Sequence, residues 1–365
     1  MAQSTGDKRA ITKAVVLCAG EGTRLRPFSF SVPKHLVPVA NRPVIEWILE
    51  TLAEAGVQKT AVVVSPFHER VFRESLGERT PQGMILRFVV QEHPRGLAHA
   101  VSCAARFIDG DPFLLYLGDN LFECGVAEVV RRYQERACAA TIALLEVADP
   151  RCFGVARLDG QRILDLVEKP ADPPSHWVVA GAYAFSAQIL DAISQIQPSA
   201  RGELEITDAI RVLMKRDDGV TAHLVKGWWK DVGRPEDLIL ASELLMNREA
   251  ARTEGEVDDV SNVEGMVVVE AGANVKGSCI RGPCIIGRDA CIVDCDLGPN
   301  VVIGDRAHVI RSRTERSIVM SDACIERASS LHDSIVGRRS HLSHAAAEPG
   351  CAMLIGDDSI VSWRT

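Results

Sequence analysis

The sequence predicts an α/β domain built on a largely parallel sheet, followed by a parallel β-helix, with the boundary at residues 250–251. Three observations predict this. Short apolar runs alternate with amphipathic segments up to about residue 250, the pattern of strands buried on both faces and joined by crossover helices. Beyond Val257 no helical period is found, and branched or small residues recur about every six positions, one short strand and one corner per repeat. A chain of 365 residues, 47% hydrophobic and 25% charged, has ample apolar content for two cored domains.

Ala14–Cys18, Ala61–Ser65, Leu86–Val90 and Phe113–Leu117 are the predicted strands of the first domain (1–250). Between the first two lies a predicted helix. Asn41 is placed to cap it, Pro43 lies in its first turn, Gly56 closes it, and Ile45, Ile48, Leu49 and Leu52 share one face. Residues 125–137 and 235–248 also read as helices. In the second domain (251–365) the inward positions are expected at Val263, Val269, Val275, Ile286, Ile292, Ile303, Val309, Ile318 and Cys324. The phase slips in several places, so the coils are irregular. Cys279, Cys284, Cys291, Cys295, Cys324 and Cys351 are expected as small core fillers.

The net charge of -8, from 41 basic and 49 acidic side chains, argues against a nucleic-acid partner, as does the lack of a Lys/Arg run. Phosphorylated ligands would therefore be held by a few placed cations. The 11 cysteines are odd in number, scattered and form no CxxC pair, which speaks against a disulfide framework or a zinc site and for a reducing cytoplasm. The apolar stretch at residues 14–18 is too short for a signal segment or a membrane span, and no membrane partner is expected.

The first strand runs into Cys18-Ala19-Gly20-Glu21-Gly22-Thr23-Arg24-Leu25-Arg26-Pro27. Glycines after a strand let backbone N–H groups approach phosphate closely. The third glycine of a dinucleotide fingerprint is missing, and so is the Gly-Lys-Ser/Thr ending of a P-loop. A plain tight turn would explain the glycines alone. The added Gly-Thr-Arg-Leu-Arg-Pro and Pro33-Lys34 elements bring Arg24 and Lys34 to one loop, enough charge to neutralise a triphosphate. Gly118-Asp119-Asn120 ends an apolar strand, where the carboxyl ends of an open α/β sheet line the ligand crevice. Asp119 is thus placed to hold a metal, against the alternative of an ordinary turn residue. Asp231, in Trp228-Trp229-Lys230-Asp231, is a second carboxylate of the kind Mg²⁺ takes beside phosphate oxygens.

With these motifs the sequence resembles the sugar-1-phosphate nucleotidylyltransferases, and within them the long form of glucose-1-phosphate thymidylyltransferase. The carriers stand in the family's order over nearly the whole chain: LCAGEGTRLRP (17–27), PKHLVPVANRP (33–43), QEHPRGLAHA (91–100), LGDN (117–120), FGVARLD (153–159), VEKP (167–170), VAGAYAF (179–185), RGELEITDA (201–209) and GWWKDVGRPEDL (227–238). The resemblance implies a Rossmann-like, GT-A-like nucleotidyltransferase domain and a left-handed β-helix of hexapeptide repeats. It implies transfer of a nucleotidyl group from an NTP to a sugar 1-phosphate with release of pyrophosphate, dTTP and glucose 1-phosphate being favoured.

Residue by residue, the resemblance places Gly20, Gly22, Thr23, Arg24, Gln91, Gly96 and Leu97 on the nucleotide. Gly154, Glu168, Lys169, Gly181, Arg201 and Trp229 fall to the sugar phosphate, and Asp119 and Asp231 to Mg²⁺. Arg24, Lys34 and Lys169 take the catalytic roles: Arg24 on the β,γ-phosphates, Lys34 near the transferring group and Lys169 on the attacking phosphate. A Gln amide such as that of Gln91 both donates to and accepts from a pyrimidine edge. Glu203 and Glu205 read as part of a solvated face. Ala19 and His35 stand where the thymidylyltransferases often have Gly and Gln, which leaves UTP, GTP or ATP and another sugar or a cyclitol phosphate as alternatives.

A β-helix also permits a bifunctional reading with C-terminal acyltransferase activity, for which His308, His332, His341 and His344 are the candidate bases. Corner or solvated histidines explain them as well. A regulatory homologue that binds without turnover would lack the metal carboxylates or the EKP lysine, and this chain has both. The flat sides of stacked coils predict a homo-oligomer through the β-helix.

Overall fold

Val15, Val16, Val62, Val63, Leu114 and Leu115 alternate between the two faces of their strands, yet all are fully buried. Helices therefore cover both sides of this sheet, as the continuous apolar runs require. In the computed structural model, which describes residues 10–77, 80–136, 138–216, 219–328, 330–344 and 352–362, β1 is Lys13–Leu17, β2 Lys59–Val64, β3 Ile85–Val90, β4 Phe113–Leu117, β5 Asn120–Phe122, β6 Ala140–Glu146, β7 Gly154–Asp159, β8 Arg162–Glu168, β9 Trp177–Phe185, β10 Val220–Leu224 and β11 Trp229–Asp231. Nine of them form one sheet in the order β3-β2-β1-β4-β9-β6-β10-β8-β7. β3, β2, β1 and β4 are mutually parallel, whereas β9 runs antiparallel to both β4 and β6, so the sheet is mixed.

The helices are α1 (Val44–Glu54), α2 (Glu69–Leu76), α3 (Leu97–Cys103), α4 (Ala105–Ile108), α5 (Ala127–Glu135), α6 (Gln188–Ile193), α7 (Ile206–Met214) and α8 (Pro235–Met246). The predicted face of α1 is the buried one: Ile45, Ile48, Leu49 and Leu52 are all inaccessible, and Gly56 ends the helix at φ 86°. The predicted cap is corrected. Pro43 belongs to a two-residue strand, Arg42–Pro43, paired with Pro38–Val39, and Ala40 and Asn41 make its turn at positive φ. Asn41 instead donates from Nδ2 to Asp305, 2.9 Å away. At the start of α8, Pro235 needs no N–H partner, and Asp237 Oδ2 accepts from the N–H groups of Gly233 (3.0 Å) and Arg234 (2.8 Å).

The chain divides into two compact units. One holds the residues through Gly20 and Ile45–Asp231, and the other Glu21–Val44 and Val232–Thr365. The 250–251 boundary read from periodicity therefore falls inside the second unit. The reason is side-chain bonding that periodicity does not report. Ser242 of α8 accepts from the Ala40 N–H (2.9 Å), Arg316 pairs with Glu243 (2.6 Å), and Arg338 donates to the Leu36 carbonyl (3.2 Å).

Among the described residues beyond 251 the strands stack in three parallel sheets of seven, seven and five strands. Each turn of the chain adds one strand to a sheet, the construction of a parallel β-helix. Val269, Val275, Ile286, Ile292, Ile303 and Val309 fill its interior as expected. The phase then shifts. Ile286 pairs with Ile303, 17 residues on, but Ile303 pairs with Val319, only 16 on. The inward residues of the next coil are Val319 and Ile325, the register partners of Ile303 and Val309, and not the predicted Ile318 and Cys324, which would need a coil shorter still. The cysteine expectation is corrected with it. Cys284 and Cys295 are core residues, but Cys279, Cys291 and Cys324 are only half-buried; Cys351 lies outside the described residues.

One corner repeats a left-handed backbone. Asp289, Arg306, Asp322, Arg339 and Asp358 all have φ between 55° and 63°, a conformation that disfavours side chains by about 1–2 kcal/mol each. Acidic and basic residues alternate up this corner, with Arg306 bonded to Asp322 (2.7 Å) and Arg339 to Asp358 (2.6 Å).

Candidate active site

The signature segment belongs to the second unit. Gly22 lies at φ 66°, and a Cβ there would stand 2.9 Å from Cβ of Lys34. Only glycine suits both the backbone and the stem of Lys34. From Gly22 the chain makes a 3-10 turn, Thr23–Leu25, that buries Leu25 and leaves Thr23 and Arg24 exposed. Ser29 Oγ donates to the Gly22 carbonyl (2.7 Å) and holds the turn. Leu25, Phe28, Leu36, Val37 and Val39 are buried beneath it. The structure therefore joins Gly22, Thr23, Arg24 and Lys34 on one loop. Gly20 is the exposed last residue of its stretch of the first unit.

In the first unit, β4 delivers Gly118-Asp119 to the carboxyl edge of the sheet, and the chain turns into β5. β5 pairs antiparallel with β11, so that Asp231 stands opposite Asn120. Two carboxylates far apart in sequence, both half-buried, are thereby neighbours. Asn120, which was not singled out from the sequence, organises the group. It is 3% exposed. Its Nδ2 donates to Asp119 Oδ1 (2.7 Å), its Oδ1 accepts from Trp229 Nε1 (2.7 Å), and its carbonyl accepts from the Tyr116 hydroxyl (2.9 Å). Gly181, at φ 78° on β9, leaves room for it, since a Cβ there would lie 3.0 Å from Asn120 Cγ. A polar residue directly after a strand-end Asp was the available signal.

A second group forms where β8 ends. Glu168 is mostly covered. Its carboxylate lies 3.7 Å from Lys169 Nζ and 3.8 Å from Arg201, and accepts from Thr207 (3.3 Å). Burial pushes the Glu168 carboxyl above the ordinary range, and Glu205 adds to this, while Lys169, Thr207 and Arg201 pull the other way. Gly154 lacks a side chain because Glu168 and Thr207 fill that space: a Cβ would stand 3.2 Å from Glu168 Oε2 and 3.0 Å from the Thr207 methyl. The solvated reading of Glu205 is corrected. Its side chain is only 4% exposed, because it lies at the start of α7 and accepts from Ser199 Oγ (2.9 Å) and Arg201 (3.3 Å). Glu203 is more open and pairs with Arg201 at 3.2 Å. Trp229 reaches this group through Phe153, their rings edge to face at 5.4 Å, and the Phe153 carbonyl accepts from the Lys169 N–H (3.0 Å).

The third group is the loop after β3. Gln91 is buried; its Nε2 donates to the Gly96 carbonyl (3.3 Å) and lies 2.9 Å from His99 Nδ1. Its amide nitrogen therefore stiffens the loop, which leaves Oε1 as the atom able to read a ligand. Gly96 sits at φ 99°, with the Leu204 carbonyl 2.6 Å from where a Cβ would be, and Leu97 opens α3. Leu204 bonds back to Arg95 and Ala98, which ties this loop to the Arg201–Glu205 segment. Burial, with the charges of Arg95 and His93 adding, lowers the His99 pKa from the ordinary histidine value.

Within the first unit, a sheet edge with neighbouring carboxylates and a cation group on a covered Glu is an arrangement for handling phosphate anions, and the second unit by itself carries a glycine turn bearing Arg and Lys. A Nucleotidyl transferase family model matches residues 13–248. The chain belongs to this family. Among its relatives, a glucose-1-phosphate thymidylyltransferase of Streptomyces antibioticus is 38% identical over 356 residues, covering 97% of this chain and 100% of the other. The low-salt glycan biosynthesis nucleotidyltransferase Agl11 of Haloferax volcanii is 37% identical over 352 residues, covering 95% and 99%. Of solved structures, a UDP-glucose pyrophosphorylase complexed with UDP-glucose has a TM-score of 0.60 at 29% identity, covering 66% of this chain and 100% of that one. This nucleotidyltransferase is therefore an enzyme of the sugar-phosphate class. No helix among the described residues is long and apolar enough to cross a membrane.

Proposed function

We propose that this nucleotidyltransferase moves a nucleotidyl group from an NTP, dTTP being favoured, to a sugar 1-phosphate, glucose 1-phosphate being favoured, with Mg²⁺ held by Asp119 and Asp231. The observation that carries this is the β5–β11 register, which sets Asp231 opposite Asn120 and so beside Asp119. Two half-buried carboxylates, one of them oriented by an amide, form a hard-oxygen donor set that fits Mg²⁺ and leaves room for phosphate oxygens. When bound, the ion supplies charge neutralisation at the α-phosphate.

In the reaction a phosphate oxygen of the sugar 1-phosphate attacks the α-phosphorus, a new P–O bond forms, and the bond to pyrophosphate breaks. The nucleophile is already an anion, so no protein nucleophile is needed, and positioning and neutralisation carry the rate. Arg24 holds the β,γ-phosphates, and Lys34 stands by the transferring group. Lys169 and Arg201 hold the attacking phosphate, giving up part of their pairing with Glu168, whose carboxylate then accepts from sugar hydroxyls. Gly154 and Gly181 act by making room for Glu168 and Asn120. Trp229 covers the sugar. Gly20, Gly22, Thr23, Gln91, Gly96 and Leu97 hold the nucleotide, Gln91 through Oε1. The β-helix (251–365) is left-handed and joins copies of a cytoplasmic homo-oligomer, with residues 1–250 carrying the catalytic machinery.

Pyrophosphate release over a panel of NTPs and sugar 1-phosphates tests the substrates. Asp119→Asn and Asp231→Asn, in folded protein, should each lower kcat by at least ~100-fold, since each removes charge from the transition-state clamp. Near wild-type turnover in both would refute the metal assignment.

A further inference from the structure

The outer face of one β-helix sheet carries a column of side chains that the transfer chemistry does not use. In its parallel register Cys291 pairs with His308, His308 with Cys324, and Cys324 with His341. Their neighbours Ile292, Val309, Ile325 and Leu342 are fully buried in the interior. Side chains alternate across a strand, so the cysteines and histidines face outward. Glu326, two residues beyond Cys324, shares that outer face. In Cys324, Glu326 and His341 one sulfur, one oxygen and one nitrogen all lie within 4.8 Å of one another.

We propose that Cys324, Glu326 and His341 form a site for a borderline-soft divalent transition ion, best matched by Zn²⁺, that joins two successive coils. The donor set decides the class. A thiolate and an imidazole suit zinc-like ions and are poor partners for Mg²⁺ or Ca²⁺. Zinc–ligand bonds of about 2.0–2.3 Å put ligand atoms roughly 3.5 Å apart in a tetrahedron. The three atoms need to close by about 1 Å, which rotamer changes of half-buried Cys324 and Glu326 and exposed His341 can supply without moving the ladder. On binding, the Cys324 thiol gives up its proton and a sulfur–metal bond replaces the S–H bond. Three protein ligands leave a fourth position open. His308, on the strand before Cys324, is the nearest further donor in the column, about 4.8 Å away by strand spacing.

The test uses the full chain, metal-stripped, reduced and held in excess Mg²⁺ to occupy oxygen sites. Titration with Co²⁺ should give a thiolate-to-metal charge-transfer band that saturates with one equivalent and is abolished by Zn²⁺. Cys324→Ser should lose the band. His341→Ala, a change at an exposed position, and Glu326→Gln should each weaken Zn²⁺ binding at least ~10-fold, the scale of losing even an outer partner. Pyrophosphate release should be unchanged in all three variants, because none of these residues belongs to the transfer site. No band in the wild type, a band that persists in Cys324→Ser, or unchanged Zn²⁺ affinity in both other variants would overturn the site. A band lost only in Cys291→Ser would overturn it too, by assigning the ion to the neighbouring coil.

Discussion

Replacing Gly181 with alanine should damage metal handling from a position that is not one of the proposed Mg²⁺ ligands. Gly181 sits at φ 78°, and the added Cβ would stand 3.0 Å from Asn120 Cγ. The backbone conformation alone disfavours an L-residue by about 1–2 kcal/mol. Asn120 has nowhere to retreat, because both ends of its amide are bonded, to Asp119 and to Trp229. Breaking one such buried bond adds about 1–3 kcal/mol, so the variant should lose roughly 2–5 kcal/mol of stability. Gly160→Ala is the matched control. Its φ is 57°, but nothing lies within 4 Å of the new Cβ, so it carries only the backbone part. Urea unfolding measures both variants, and pyrophosphate release against Mg²⁺ concentration reads the site. With Asp119 deprived of its orienting amide, the apparent Mg²⁺ affinity of Gly181→Ala should fall about 10- to 100-fold. The reasoning fails if Gly181→Ala unfolds like Gly160→Ala and keeps the wild-type Mg²⁺ dependence.

Three further outcomes are expected. Gln91→Ala should lower kcat/KM for a pyrimidine NTP by roughly ten- to a hundredfold, the loss of about 1–3 kcal/mol, while KM for sugar 1-phosphate stays within about twofold; competition among dTTP, UTP, CTP, ATP and GTP checks it, and a strong wild-type preference for a purine would discard the thymidylyl reading. Glu168 holds its proton to higher pH folded than unfolded because burial raises its pKa, so the stability it contributes is full below the unfolded value and lost as pH rises through the folded one; Glu168→Gln should flatten that decline in unfolding experiments across the acidic range while abolishing efficient turnover. Truncation after residue 255 should abolish the oligomer by light scattering and also raise KM for the NTP, because it removes Asp305 and Arg338, the partners of Asn41 and Leu36 beside the signature turn; a truncated oligomer with unchanged KM would contradict both.

What the sequence makes legible is what local chemistry decides. The buried face of α1 follows from a 3.6-residue period, and the strand-end position of Asp119 follows from an apolar run that stops at glycine. The pairing of β5 with β11 has no such signal, because it depends on closing a loop of about a hundred residues. Asn41 illustrates the limit at short range: it has the character of a helix cap, but the neighbouring prolines form a two-residue hairpin and put it at φ 62° in the turn. Glu205 reads as solvated because isolated carboxylates usually are, yet the partners that let it be buried, Ser199 and Arg201, lie four to six residues away. In the β-helix the six-residue period is plain, but the length of each coil is not, and a count one residue short names Cys324 where the register places Ile325 inward.

The alternation at the left-handed corner has a consequence for how such a chain can change length. Removing the coil that carries Arg306 would stack Asp289 on Asp322, two like charges at strand spacing, and would take from Asp322 its ion pair with Arg306. Removing two coils would stack Asp289 on Arg339 and restore an opposite-charge contact. The corner thus obeys a parity rule: insertions and deletions of coils are tolerated electrostatically in even numbers and resisted in odd ones, although the apolar interior would accept either.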